Sequence, residues 1–239
     1  MHIDRRRFCC GSAAVLAGLT TSRAFAADDP ACEVYTRERQ AEVTPEAAIE
    51  LLKAGNARFV AGESVNCDLM AQARATADGQ APFAAVVGCL DSRGAPELVF
   101  DQRIGDIFAA RIAGNFVNTD IIGSLEFATA AAGAKAIVVL AHTHCGAIAG
   151  AVDNVVLGNL TEMLANITPA VAATPSAGNR TSADATFVEA VADTNAALAV
   201  RTILSRSAVI RDLVDAGDLA VVAAKHDLAT GKVTFFPPV

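Results

Sequence analysis

Three short, near-continuous apolar runs, at 83–88, 107–112 and 136–141, constrain this chain more than any other feature. A strand with one wet face alternates apolar and polar residues, whereas a run without alternation reads as a strand buried on both faces. Residues 120–133 join the second run to the third. Their Asp120 cap, the apolar stripe Ile121, Leu125, Ala128 and Ala132, and the terminal Gly133 describe a crossover helix. Strand, helix, strand is a βαβ unit, so the chain is predicted to be α/β, with a mostly parallel central β-sheet flanked by helices.

The flanking segments fit around that unit. Thr44-Pro45-Glu46 places a capping residue before a proline at the first helical position, and Ala48, Leu52, Gly55 and Phe59 then recur at helical spacing until Gly62. Residues 27–43 read as irregular, and 63–80 as a loop with at most a helical turn. A helix starts at Ala147, and 159–183 mixes Pro, Ser, Thr and Gly around a short helical stretch. Helices follow over 184–205 and 207–216, then strand-like segments at 219–225 and 232–236 joined across Thr230-Gly231. No internal repeat or dividing point interrupts 27–239, which is read as one domain.

Residues 1–26 stand apart as a signal peptide. Arg5, Arg6 and Arg7 form a basic head, 11–19 are apolar, and Ala24-Phe25-Ala26 offers the small residues of a cleavage site, giving a mature start near Ala27. The apolar stretch is too short for a bilayer core of about 30 Å, which takes about 20 residues, so no stable membrane anchor is expected. Arg5-Arg6-Arg7-Phe8 resembles the twin-arginine pattern, which addresses folded proteins for export to the periplasm. The general secretory route is the alternative for the same residues. Without 1–26 the chain has 15 basic and 25 acidic residues, a net charge of −10. Such a surface argues against nucleic acid and anionic lipid as partners.

Four cysteines remain: Cys32, Cys67, Cys89 and Cys145. Cys89 ends the first buried run, and His142-Thr143-His144-Cys145-Gly146 follows the third. The carboxyl ends of parallel strands form the ligand crevice of such sheets, so these distant residues converge. Two thiolates and one imidazole make a zinc set that leaves a fourth position open, and soft sulfur favours Zn²⁺ over magnesium or calcium. His142, three residues before Cys145, is better placed to share an ion with it than His144, its direct neighbour. Cys32 and Cys67 lack a metal-like context and are read as a disulfide, with two free thiols as the alternative.

Asp91 and Arg93 follow Cys89 closely enough to pair in a turn beside the cation. Held by Arg93, Asp91 would accept a hydrogen bond from zinc-bound water. Released, it would swing onto the zinc and close the site.

The string Cys89-Leu90-Asp91-Ser92-Arg93, followed by Phe100-Asp101-Gln102, Gly105-Asp106, Arg111-Ile112-Ala113-Gly114-Asn115 and His142-Thr143-His144-Cys145-Gly146, resembles the β-class carbonic anhydrases. The similarity extends to Gly55-Asn56-Ala57-Arg58-Phe59 upstream and to the segment from His226 to Val233 downstream. It implies a β-carbonic anhydrase-like fold, zinc on Cys89, His142 and Cys145, an Asp91–Arg93 catalytic dyad, and a Gly146 backbone N–H that helps hold substrate. The implied reaction is reversible hydration of carbon dioxide to bicarbonate and a proton, by attack of zinc-bound hydroxide. A homodimer or dimer-based oligomer is implied as well. Leu90, where the family commonly has a small residue, and Arg103-Ile104 depart from the pattern and bear on the pocket wall. A CS₂ or COS hydrolase on the same scaffold, or a zinc-binding protein without turnover, are the competing readings.

Overall fold

The computed structural model describes residues 32–176 and 178–237. The expected signal peptide, its cleavage point and the basic head lie outside the described residues. In chain order the elements are α1 (Arg37–Ala41), α2 (Pro45–Ala61), α3 (Leu69–Ala75), β1 (Ala84–Gly88), α4 (Pro96–Val99), β2 (Ile107–Arg111), α5 (Thr119–Glu126), β3 (Ala136–His142), α6 (Gly146–Val152), α7 (Gly158–Ala165), α8 (Thr168–Ala173), α9 (Ala185–Arg206), α10 (Ala208–Asp215), β4 (Ala220–His226) and β5 (Val233–Phe235).

The sheet runs β2-β1-β3-β4-β5. Its first four strands are parallel, and β5 returns antiparallel to β4. Alternate residues of the central strands serve two different cores, which is why β1 and β3 are buried throughout. Ala85, Val87, Ile137, Val139 and Ala141 pack with Ala196, Ala199, Val200 and Ile203 of α9 and with Ile210 of α10. Ala84, Val86, Ala136, Val138 and Leu140 pack with Ala48 and Leu52 of α2, Phe83 and Phe100. The result is three layers with the sheet in the middle.

Helix α2 begins where expected: Thr44 accepts a hydrogen bond from the Ala47 N–H, Pro45 opens the helix, and Gly62 closes it at φ 71°. A side chain at Gly55 would stand 1.8 Å from the Phe100 carbonyl oxygen, so only glycine lets α2 lie this close to the loop after α4. Asn56 then ties α2 to both ends of the fold, donating to the carbonyls of Val99 and Gly231 and accepting from the Val233 N–H.

Several expectations need correction. Strand β2 is at the sheet edge, so only Ile107 of its five residues is buried and the other four are partly or fully exposed. The crossover helix is capped by Asn118, which accepts from the Ile121 N–H, and not by Asp120; Asp120 lies in the first turn, where its charge meets the helix dipole. That helix also continues through a π-helical turn, Phe127–Ala131, before Gly133. The irregular 27–43 segment contains α1, and the loop at 63–80 contains the two-turn helix α3, capped by Asp68. Just before that cap, Cys67 is bonded to Cys32, with Cα atoms 5.5 Å apart, as the pairing expectation had it. Among the described residues no helix is long and apolar enough to cross a membrane.

Candidate metal centre

Parallel pairing builds the site. Gly88 stands level with Leu140, so the chain leaving β1 at Cys89 emerges beside His142, the last residue of β3. Cys145 comes back to the same place as the residue that caps α6. All three are buried, and one ligand atom from each lies within 4.8 Å of the others.

The donor set fits a tetrahedral ion. The two sulfurs are 3.9 Å apart, against the roughly 3.8 Å that two bonds of about 2.3 Å make at a tetrahedral zinc. His142 Nδ1 lies 2.9 Å from the Thr143 carbonyl and donates to it, which turns Nε2 inward as an acceptor. That Nε2 is buried without a partner among the described residues. A buried orphan nitrogen costs about 1–3 kcal/mol, a penalty that a cation removes. His144 is placed otherwise: it is exposed, at φ 55°, outside the cluster, and its N–H donates to Glu189 Oε1 at 2.8 Å.

The electrostatics agree. The hydrogen bond from Cys145 holds the Cys89 thiol well below its ordinary range, and the N–H of Gly114, 3.2 Å from the Cys89 sulfur, helps. The same sulfur contact pushes Cys145 up, so the pair keeps one proton that a shared cation would displace. Burial pulls His142 down, but its contacts with Cys89 and Thr143 outweigh that, and the ring is raised on balance.

Beside the cluster, Arg93 grips Asp91 twice, Nε to Oδ1 at 2.9 Å and Nη2 to Oδ2 at 2.7 Å, while the Arg93 backbone N–H adds a third bond at 3.0 Å. The Arg93 guanidinium therefore holds the Asp91 carboxyl well below the usual carboxylate range. This is the held form of the dyad, not the released one. Gly146 opens α6 directly after Cys145 and is exposed.

Three contributors escaped the sequence reading. Arg111, level with Gly88 at the end of β2, donates to the carbonyls of Cys89, Leu90 and Asp91 at 3.0, 3.2 and 2.5 Å, fixing the loop that carries the dyad. Its sequence signals were a basic residue near the end of an apolar run and its place in the Arg111–Asn115 block of the resemblance, neither of which gave it a role. His226, level with His142 on β4, is buried with neither ring nitrogen partnered among the described residues, and shares a small cavity with Cys89, Asp91 and His142. Burial, and then the nearby His142, hold its ring below the ordinary histidine value. Lys225, its neighbour, bridges Glu189 and Asp193 at 3.0 and 2.8 Å. Burial pulls Lys225 down, yet these two carboxylates raise it on balance.

The chain is similar to known proteins in sequence and in fold. A family model described as carbonic anhydrase matches residues 84–233. Carbonic anhydrase 2 of Mycobacterium tuberculosis is 34% identical over 190 residues, covering 79% of this chain and 91% of that protein. The carbonic anhydrase of Mycolicibacterium smegmatis is 35% identical over 195 residues, covering 79% and 92%. Among solved structures, a β-carbonic anhydrase of Sordaria macrospora is similar at a TM-score of 0.59 and 26% identity, covering 68% of this chain and 84% of its own. Matching sequence, sheet topology and the Cys-His-Cys cluster at the carboxyl ends of the strands agree: the chain belongs to the β-class carbonic anhydrases, whose reaction is the hydration of carbon dioxide.

Proposed function

We propose that this chain hydrates carbon dioxide reversibly at a zinc ion held by Cys89, His142 and Cys145, with Asp91 and Arg93 as the catalytic dyad. The observation that carries the reading is the buried, unpartnered His142 Nε2 facing two sulfurs at tetrahedral separation. Bound there, zinc supplies Lewis acidity, which brings the pKa of water from about 15.7 to about 7. Arg93 keeps Asp91 ionised and fixes its carboxylate plane. Asp91 accepts a hydrogen bond from the attacking water, aiming a lone pair at the carbon of CO₂. Arg111 holds the backbone of that loop still, and the Gly146 N–H, on the other side of Cys145, donates to an oxygen of substrate or product.

Hydration should rise with pH through one apparent ionisation near neutrality. Asp91 is not its source, because its carboxyl loses its proton below the usual carboxylate range. Stopped-flow CO₂ hydration with zinc measured in the same sample checks this, and Asp91→Ala should keep zinc while losing most of the rate. A flat profile at full zinc content counts against the mechanism. Zinc without hydration by the unaltered protein would favour a binding protein over an enzyme.

We further propose that residues 1–26 direct export to the periplasm by the twin-arginine route and that the mature protein is a homodimer or a dimer-based oligomer. The basic head supports the first. The tetrameric state of the Sordaria macrospora relatives supports the second, as do the exposed Leu69, Leu98 and Ile104 along one groove, apolar surface that a second copy would cover. Changing Arg5 and Arg6 together to Lys should retain the protein in the cytoplasm; unchanged export points to the general route. Light scattering on the exported protein should give a multiple of the single-chain mass, and a single-chain mass refutes the oligomer.

A further inference from the structure

We infer that Glu189, on α9, is a positioning residue for the metal centre: its carboxylate holds the backbone of His144 in the left-handed conformation that brings Cys145 round to face Cys89 and His142. The inference rests on the zinc assignment proposed above. After His142 the chain must reverse within three residues to place the Cys145 sulfur 3.9 Å from that of Cys89. It does so through His144 at φ 55°, a region uncommon for residues other than glycine, though histidine enters it more readily than most. Thr143 is pinned on both sides, its N–H donating to the His226 carbonyl at 3.0 Å and its hydroxyl accepting from the Leu228 N–H at 3.0 Å. The N–H of His144 is held by Glu189 Oε1 at 2.8 Å.

Glu189 is itself anchored. Lys225 Nζ stands 3.0 Å from its Oε2 and 2.8 Å from Asp193 Oδ1, one turn further along α9. Lys225 is the residue before His226 on β4, so a helix, a strand and the metal turn are joined through one carboxylate. Were Glu189 merely a counter-ion for Lys225, Asp193 would already supply that charge. Reach and charge are separable: Glu189→Asp keeps the charge and withdraws the oxygen by one methylene, while Glu189→Gln keeps an oxygen at the same distance but turns its amide NH2 toward the Lys225 ammonium, so it is compared in a Lys225→Met background that removes that second donor.

Zinc affinity is measured by competition with a chelator, and ligand geometry by the visible spectrum of the cobalt-substituted protein. Glu189→Ala and Glu189→Asp should each weaken zinc binding, the former by about 10- to 100-fold, the range for lost partners of metal-bearing groups, and should alter the cobalt–thiolate bands. Glu189→Gln in the Lys225→Met background should stay close to Lys225→Met alone in both. If Glu189→Ala does not fold, the Gln and Asp variants decide alone. Undiminished affinity in the Asp variant, or a Glu189→Gln/Lys225→Met protein that binds zinc more weakly than Lys225→Met alone, overturns the inference. An unaltered protein that takes up no zinc would overturn the metal assignment itself, a result distinguishable from tight zinc in every variant.

Discussion

His142→Ala should remove zinc from the protein and lower CO₂ hydration by at least ~1,000-fold, because the Lewis acidity that shifts water's pKa by roughly 8–9 units goes with the ion. The fold should survive. His142 closes β3 with its ring pointing into the cluster rather than into the cores on either side of the sheet, and its Nε2 has no protein partner to lose among the described residues. In the metal-free state alanine relieves the orphan nitrogen's cost of about 1–3 kcal/mol but gives up the Nδ1 bond to the Thr143 carbonyl and the packing of a buried ring, terms of similar size and opposite sign, so metal-free His142→Ala should melt close to the metal-free parent. His144→Asn is the matched control: the ring lies outside the cluster, asparagine tolerates the left-handed backbone at this position, and the variant retains a backbone N–H for Glu189. Zinc measured on both variants, with melting curves after chelation, checks the pair. Full zinc in His142→Ala, or none in His144→Asn, would reverse the ligand assignment.

Loss of the Cys32–Cys67 bond has the largest expected effect on stability. Closing a loop of 35 residues removes roughly 4 kcal/mol of disorder from the unfolded chain in the chain-entropy account. For a chain of this size that corresponds to a melting point lower by about 8–16 °C. The variant with both cysteines changed to alanine is the right comparison, since a reducing agent would also compete for zinc. Its hydration rate at 25 °C should match the parent, because the bond joins the segment before α1 to the cap of α3, away from the carboxyl ends of β1 and β3. An unchanged melting point would mean that the unfolded chain already keeps these ends together.

The parts of the fold that were legible are those in which one physical signal dominates. β1 and β3 are buried on both faces, and an unbroken apolar run has no other stable home. Asn118 and Asp120 are both good caps, by contrast, and composition alone does not choose between them. The exposure of β2 follows from its place at the end of the strand order, a tertiary fact with no local trace. In the proposed site, Cys89, His142, Cys145 and the Asp91–Arg93 pair could be singled out because thiolates, imidazole and a carboxylate–guanidinium pair at short spacing have few uses together, and the structure brings the three ligand candidates within 4.8 Å of one another. Glu189 gave no signal, and Arg111 and His226 stood in strings of the resemblance without a role, since each acts through a backbone group or a neighbour many residues away. The Glu189–His144 contact spans 45 positions on two elements, and only packing α9 on the sheet brings them together.

Strand pairing across long stretches of chain also sets a kinetic hazard. Cys89 and Cys145 are 56 residues apart and meet only once β1 and β3 are in register, a slow, non-local step. Before then, the four cysteines from Cys32 onward can pair in three ways. Cys67 and Cys89 are 22 residues apart, so closing that wrong loop is easier than closing the native 35-residue one by roughly 0.4 kcal/mol. An oxidant that reaches the unfolded chain therefore favours mispairing by about twofold and consumes a zinc ligand in the process. One that arrives after folding finds Cys89 and Cys145 buried, and Cys32 and Cys67 already side by side. The order of folding and oxidation, rather than the strength of either bond, decides how much active protein is recovered.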